Sequence, residues 1–150
     1  MFFTIGCHEG YAIDDDLSEY YLEFEKEEVF DSLQHNENGL MTDKVIKYGK
    51  GKVFDLSYDL FPNAWTVIFE NTVSKEVTLK HKTKGELVKV SFPSFNNLLL
   101  WTTPMSGYLC IEPWSSLPDY QDATGILKER KGVTVLSSKQ IIEYKHTIKI

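Results

Sequence analysis

Short stretches with strand periodicity recur along this chain about every ten residues, separated by Gly- and Asn-containing turns. Glu76 to Lys80 and Glu86 to Phe92 alternate apolar and polar side chains with a period of two, as half-exposed strands do. Trp65 to Phe69, Leu98 to Trp101 and Tyr108 to Ile111 are continuous apolar runs, which are typical of buried strands. The pattern predicts an all-β protein built as an antiparallel β-sandwich.

The two ends of the chain fit the same prediction, and helical signals are few. Phe2 to Cys7 is predicted as a strand, and Ile141 to Ile150 alternates like one. Helix is expected only as short pieces, near Asp55 to Phe61 and Leu117 to Ala123. No internal repeat, low-complexity segment or Pro/Ser-rich linker divides the sequence, so a single β-sandwich domain over residues 1–150 is expected.

The charge distribution argues against two classes of partner. The formal net charge is -6, acidic residues crowd Asp14 to Asp31, and the basic residues that follow form no patch. Nucleic acid and anionic membrane surfaces both require clustered Lys and Arg, so neither is expected as a partner. No apolar run approaches membrane-spanning length, and Met1 to Phe3 lacks the basic segment of a signal peptide. A cytoplasmic protein is therefore predicted.

Cysteines and histidines give no sequence signal for a metal site. Cys7 and Cys110 both lie in apolar predicted strands and have no metal-ligand spacing. The four histidines are dispersed and form no ligand pair. Buried free thiols are favoured over a disulfide, and no metal or other cofactor is expected.

Glu112 is the most informative titratable residue in the sequence. It follows the apolar run Tyr108 to Ile111 and precedes Pro113, which predicts a carboxylate at the end of a buried strand and the rim of the core. Partial desolvation raises the pKa of such a group toward the working range of a general base. The alternative is a glutamate that leaves the strand into solvent or pairs with a lysine.

Two motifs resemble the aldose 1-epimerase (galactose mutarotase) family, in particular its LacX-like subgroup. The first is Trp-Thr-x-Pro at 101–104 followed by Cys-Ile-Glu-Pro-Trp at 110–114 and then Asp119. The second is Phe-Thr-Ile-Gly-Cys-His at 3–8, which is similar to the subgroup's strand ending in Gly-x-His. The resemblance runs from Ile5 to Ile150 and covers only the C-terminal half of the family's domain. It implies part of a large galactose mutarotase-like supersandwich.

The resemblance also implies a reaction and two roles. Mutarotation interconverts the α and β anomers of a free aldose by acid–base opening of the sugar ring, without metal or nucleotide. By resemblance, Glu112 is the base and His8 is the acid, and both residue types suit these tasks near neutral pH. From the residues alone, a histidine at a strand end that hydrogen-bonds a loop is the alternative for His8.

Four further residues are candidates for contact with the sugar. Tyr11 matches an aromatic that the family places three residues after its histidine, and Asp119 follows the Trp114 motif. Trp114 can stack on a sugar or fill the core, and Asp119 can instead cap its own turn. Trp65 or Asn63 occupies the place of the family's sugar-binding aspartate, and core packing is slightly favoured for Trp65.

The departures from the family leave several functions open. Glu9 stands where a proline is usual, and the family's first histidine and sugar-binding arginine belong to the half that this chain does not match. The alternatives are one piece of an enzyme, an inactive relic, a carbohydrate-binding module and an interaction protein. The expected ligand is a monosaccharide, an aldohexose. Uncovered edges at Tyr108 to Ile111 and Trp65 to Phe69 predict a homo-oligomer, or a separate chain that supplies the N-terminal half.

Overall fold

The computed structural model describes residues 1–150, except for the side chain of Ala64. The strands are β1 (Phe2–Phe3), β2 (Gly10–Ala12), β3 (Tyr20–His35), β4 (Met41–Asp55), β5 (Val67–Phe69), β6 (Glu76–His81), β7 (Gly85–Ser91), β8 (Asn97–Trp101), β9 (Tyr108–Trp114), β10 (Thr134–Val135) and β11 (Thr147–Lys149). Helical structure in the described backbone is limited to 3₁₀ turns at Leu17–Glu19, Tyr58–Leu60, Pro62–Ala64 and Leu127–Glu129. The predicted all-β, antiparallel class is confirmed, and no described helix is long and apolar enough to span a membrane.

Nine of the strands form one sheet, in the order β11-β7-β6-β3-β5-β8-β9-β2, with β4 added on β3. The 16-residue strand β3 organises this sheet. One side of β3 pairs with β6 through Tyr20 to Phe24 and with β5 through Ser32 and Leu33, while β4 pairs along its length. Because β3 changes neighbour midway, the sheet curls instead of remaining flat. Strands β1 and β10 form a separate two-stranded sheet.

Side-chain alternation sends the apolar residues of the sheet into two clusters. The larger one is aromatic at its centre, where the ring centroids of Phe30 lie 5.0 Å from Phe54 and 5.7 Å from Phe69. The smaller one contains Ile68 and Leu99 and lies on the opposite face of β5 and β8. Each fully buried apolar side chain contributes about 1.5–3 kcal/mol, so both faces of these central strands stabilise the fold.

Several predicted elements are shorter or absent in the structure. Leu117 to Ala123 contains no described helix, because Tyr120 forms a β-bridge with Met41, whose N–H donates to the Asp119 carbonyl oxygen. In Asp55 to Phe61 only the turn at Tyr58–Leu60 is helical. Ile141 to Ile150 forms a strand only at Thr147–Lys149, where it reaches β7.

The expected uncovered edges lie elsewhere. Strand β9 is paired between β8 and β2, and β5 is paired between β3 and β8, so both predicted edges are interior strands. Their continuous apolar sequence reflects burial on both faces. An open edge lies instead along β4, which beyond the Met41–Tyr120 bridge pairs only with β3 in the described part of the chain and exposes the apolar side chains of Val45, Ile46 and Val53.

Candidate functional site

The N-terminal segment lies antiparallel to β9 along almost its whole length. Gly6 forms a bridge with Trp114, and Gly10 pairs with Cys110. Between them, the Cys7 N–H donates to the Pro113 carbonyl oxygen at 3.0 Å. Both ends of this register leave His8 directly opposite Glu112, and directly opposite residues in an antiparallel pair have neighbouring side chains.

Pro113 does not end the strand, contrary to the strand end predicted at Glu112 from the sequence. Strand β9 continues to Trp114, and Pro113 pairs with Leu98 of β8. A proline is accommodated at this position because the Cys7 carbonyl oxygen that faces its nitrogen accepts the Trp114 indole N–H instead, at 3.0 Å. Glu112 is consequently held inside a strand, buried with 2% exposure, and does not stand at the rim of the core.

Two contacts fix the backbone immediately before His8. The Trp114 ring lies against Gly6, where a Cβ would meet the ring atom Cδ1 at 2.7 Å. The Trp114 indole N–H donates to the Cys7 carbonyl oxygen at 3.0 Å. Trp114 is therefore a positioning residue for the histidine strand, and its ring also packs against the smaller apolar cluster.

His8 and Glu112 meet as a buried carboxylate under an accessible imidazole. The His8 Nδ1 atom lies 3.2 Å from Glu112 Oε1, and the side chains are 62% and 3% exposed, respectively. Burial raises the pKa of Glu112 to about 7, against the lowering effects of His8 and the Trp114 indole N–H, and Glu9 raises it further. A carboxyl group with this pKa exchanges a proton readily near neutral pH.

Cys110 and Trp101 complete the surroundings of this pair. Ligating atoms of Cys110, His8 and Glu112 lie within 4.8 Å of one another, so they are close enough to hold a cation. Burial, followed by Glu112 and Glu9, raises the pKa of the Cys110 thiol to about 11, which keeps it protonated at neutral pH. The Trp101 and His8 rings meet edge to face, with their centroids 6.2 Å apart. The i,i+2 spacing from Glu112 is the sequence signal that places Cys110 on this face.

Tyr11 lies on the same segment as His8 but on its other face. It is 8% exposed and belongs to the larger apolar cluster. Burial, and then the nearby Glu9, raises the pKa of its hydroxyl. Strand alternation explains the placement, because odd and even residues of one strand point to opposite faces. The structure does not bring Tyr11 to the His8–Glu112 pair.

Asp119 and Trp65 line two separate cavities. Asp119 Oδ1 is 3.1 Å from Arg130 Nε, and it lines a cavity of ≈ 460 Å³ within residues 118–131. Trp65 packs against the His35 ring at 4.8 Å and lines a cavity of ≈ 720 Å³ formed with the β3–β4 turn. Trp65 is only half-buried, so the core position favoured from the sequence is not observed. The described linings of both cavities exclude His8 and Glu112.

Sequence comparison links the chain to two curated relatives. No family model matches the chain. The plasmid-encoded LacX protein of Lactococcus lactis subsp. lactis is 31% identical over 142 residues, covering 89% of this chain and 47% of LacX. The chromosomal LacX protein of the same organism is 30% identical over the same length and coverage. The chain therefore spans about half the length of the curated relatives it matches.

Structural comparison gives the same proportion. A galactose mutarotase-like protein from Lactobacillus casei ATCC 334 matches 99% of this chain and 52% of its own, with a TM-score of 0.81 and 19% identity. A galactose mutarotase related enzyme from Lactobacillus acidophilus matches 99% of this chain and 50% of its own, with a TM-score of 0.71 and 19% identity. The curled sheet thus has the fold of galactose mutarotase-like proteins over half their length.

Proposed function

We propose that this chain, a LacX-like half of an aldose epimerase-family protein, interconverts the α and β anomers of a free aldose such as galactose or glucose. The observation that carries the proposal is the 3.2 Å contact between His8 and Glu112, a buried carboxyl group with a pKa of about 7 beside an exposed imidazole. Acid–base catalysis requires two such groups with different environments.

The geometry of the pair matches the geometry of the reaction. Ring opening removes the proton from the hydroxyl oxygen O1 and adds a proton to the ring oxygen O5, and both oxygens are bonded to the anomeric carbon C1. An acid and a base that serve them must therefore be neighbours. Glu112 takes the proton from O1 while His8 donates to O5, which breaks the bond between C1 and O5 and leaves an open-chain aldehyde.

Ring closure returns both groups to their starting states. After rotation about the bond between C1 and C2, O5 attacks the other face of the carbonyl carbon. His8 then recovers its proton from O5, and Glu112 returns its proton to the new O1 hydroxyl. The cycle therefore consumes no net proton.

Access to the carboxylate depends on His8. The imidazole is exposed and lies over a glutamate that has 3% exposure, while the backbone on both sides of His8 is bonded to β9. Rotation of the imidazole about its side-chain torsions uncovers Glu112 without breaking the strand pair. Trp101, which contacts the edge of His8, provides an apolar surface beside the opening.

Trp65 is the best placed of the remaining candidates to bind a sugar, at a cavity apart from the His8–Glu112 pair. It is half-buried on a cavity of ≈ 720 Å³ with His35, and aromatic faces bind the apolar faces of sugars by stacking. Asp119 can reach a ligand only by sharing or leaving Arg130. Trp114 serves the pair indirectly by holding the Cys7 backbone, and Tyr11 lies on the other face of the segment.

The open edge of β4 supports a second polypeptide as partner. Beyond the Met41–Tyr120 bridge, this strand pairs only with β3 in the described chain and exposes apolar side chains, so another chain can complete the sheet there. We propose that residues 1–150 act as one domain in such an assembly. The partner is a second copy of this chain, or a chain equivalent to the other half of the LacX proteins.

The decisive experiment is polarimetry on freshly dissolved α-glucose and α-galactose. Wild-type protein should accelerate the change in optical rotation over buffer, and Glu112→Gln should lose roughly 10²–10⁴-fold in rate, as expected for a general base. Glu27→Gln, an exposed change of the same type away from both cavities, is the matched control. Full activity in Glu112→Gln would refute the assignment of the base.

A carbohydrate-binding module without turnover is the second candidate function. The specific observation is the cavity lined by Trp65 and His35, which the described His8–Glu112 pair does not line. If the wild type is inactive, calorimetric titration with galactose and glucose separates the two functions. Saturable binding that Trp65→Ala abolishes supports the module, and no heat of binding rules it out.

A further inference from the structure

The opposite face of the His8 segment carries a second polar cluster. Because residues alternate along an extended segment, Cys7 and Glu9 point away from the His8–Glu112 pair. His146, from the C-terminal segment, meets them there. One ligating atom of each residue, a sulfur, a carboxylate oxygen and an imidazole nitrogen, can be chosen so that all lie within 4.8 Å of one another.

Several polar atoms around this cluster are buried without a hydrogen-bonding partner among the described groups. They are Glu9 Oε2, His146 Nε2 and the hydroxyl oxygen of Tyr11. Glu9 Oε1 and His146 Nδ1 are 3.6 Å apart, which is beyond hydrogen-bond length. Buried polar groups in native proteins nearly always have partners, so a cluster of unpartnered ones requires an explanation.

We propose that Cys7, Glu9 and His146 bind a divalent transition-metal ion, for which Zn²⁺ is the best match. Thiolate, imidazole and carboxylate are the ligands that Zn²⁺ uses in proteins, whereas Mg²⁺ and Ca²⁺ prefer oxygen ligands alone. Ligand atoms around tetrahedral Zn²⁺ are ~3–4 Å apart, so a small inward movement of these side chains completes the set. The fourth position is taken by water, with the Tyr11 hydroxyl buried nearby.

The surroundings both fix the ligands and admit the ion. Tyr144 packs its ring on Phe95 at 5.4 Å, and the Lys145 N–H donates to Ser94 at 2.9 Å, which anchors the chain just before His146. The Glu9 side chain is 40% exposed and that of His146 is 13% exposed, so the cluster opens to solvent on the Glu9 side. As the metal–sulfur bond forms, the Cys7 thiol releases its proton to solvent.

Such a metal would join the two ends of the chain. Cys7 and Glu9 precede β2, whereas His146 immediately precedes β11 at the far end of the sheet order. An ion that binds only the folded arrangement stabilises it by mass action. The inference concerns the opposite face of the segment from the sugar chemistry and does not depend on the proposed function.

Titration of chelator-treated protein with Co²⁺ and then Zn²⁺ tests the site. We expect one Co²⁺ per chain with a thiolate-to-cobalt charge-transfer band, which Zn²⁺ displaces. Cys7→Ser should abolish the band, and His146→Gln or Glu9→Gln should weaken binding by at least ~10–100-fold, the cost of losing even an outer partner. At a fixed Zn²⁺ concentration, the ion should also raise the Tm of wild type by more than that of His146→Gln, which retains the thiol but binds the ion more weakly.

The controls are Cys110→Ser on β9 and His8→Gln on the N-terminal segment, which remove a thiol and an imidazole from the face that carries the His8–Glu112 pair. Both variants should keep the cobalt band with unchanged affinity. Loss of the band in either one would move the metal to the His8 side and overturn the proposal. Failure of wild type to bind Co²⁺ or Zn²⁺ stoichiometrically would also overturn it.

Discussion

The Trp114 ring lies so close to Gly6 that a single added carbon would meet it at 2.7 Å. The same indole donates its N–H to the Cys7 carbonyl oxygen at 3.0 Å, one residue before His8. Through these two contacts, a residue at the end of β9 fixes where the histidine at the start of the chain is placed. The position of His8 therefore depends on Gly6, where the Trp114 ring leaves no room for a side chain.

Gly6→Ala tests this dependence. The added methyl group must displace the Trp114 ring or the backbone, and overpacking of this kind costs typically ~1–3 kcal/mol. We expect chemical denaturation to show a loss of stability in that range, together with slower mutarotation. Gly10→Ala is the graded control, because its Cβ would meet the Tyr108 side chain at 3.3 Å and should cost less. Equal stability of Gly6→Ala and wild type would contradict the packing argument.

The elevated pKa of Glu112 predicts how stability varies with pH. Burial raises the pKa from 4.5 in the unfolded chain to about 7, so between these values the folded state binds more protons than the unfolded state. Stability contributed by this group is therefore present below about pH 4.5 and is lost as the pH rises through about 7. The full penalty approaches roughly 3 kcal/mol at high pH.

Glu112→Gln removes this titration while preserving shape. Its stability relative to wild type should increase by about 1–3 kcal/mol between pH 4 and pH 8, measured by denaturant unfolding. The exposed change Glu37→Gln provides the baseline for loss of a carboxylate. A difference between Glu112→Gln and wild type that does not change with pH would show that the carboxyl group is not held in its neutral form.

The pH dependence of mutarotation follows from the same group. Glu112 acts as a base only when ionised, so the rate should rise as the pH increases through about 7. His8 lowers the pKa of this carboxyl group, so residual activity in His8→Gln should rise at a higher pH than in wild type. Polarimetry across a pH series measures this rise in rate for both proteins. If the rate of the two proteins rises at the same pH, another group controls it.

Local patterns in the sequence predicted the strands, and long-range pairing decided the rest. The alternation of Glu76 to Lys80 and the apolar run at Leu98 to Trp101 each identify a strand. A strand buried on one face alternates apolar and polar residues, and a strand buried on both faces is apolar throughout. The alternation of Ile141 to Ile150 does not reveal that only three residues find a partner on β7. Edge status likewise depends on neighbours distant in sequence, which is why β5 and β9 were mistaken for open edges.

The candidate site shows the same division. Glu112 could be singled out from the sequence, because a carboxylate within an apolar run has few ordinary uses. Its contact with His8 depends on a register set by Gly6 and Gly10 across more than one hundred positions, which composition does not encode. His146 likewise approaches Cys7 only through long-range pairing of the two ends of the chain. Because the histidines are dispersed in the sequence, their spacing gives no sign of this cluster.

The open edge of β4 predicts assembly. Light scattering at micromolar concentration should give the mass of a homo-oligomer, most simply a two-fold dimer, because β4 leaves backbone hydrogen-bonding groups and the apolar side chains of Val45, Ile46 and Val53 exposed. Ile46→Lys places a charge on this edge and should shift the mass to that of a monomer. Ile141→Lys is the matched control, because it makes the same substitution at a residue that is 92% exposed and lies outside β4; it should leave the mass unchanged. If the wild type is a monomer that gains mass only when the other half of a LacX protein is added, that half is the partner. If the wild type neither self-associates nor binds that half, the role of the β4 edge is refuted.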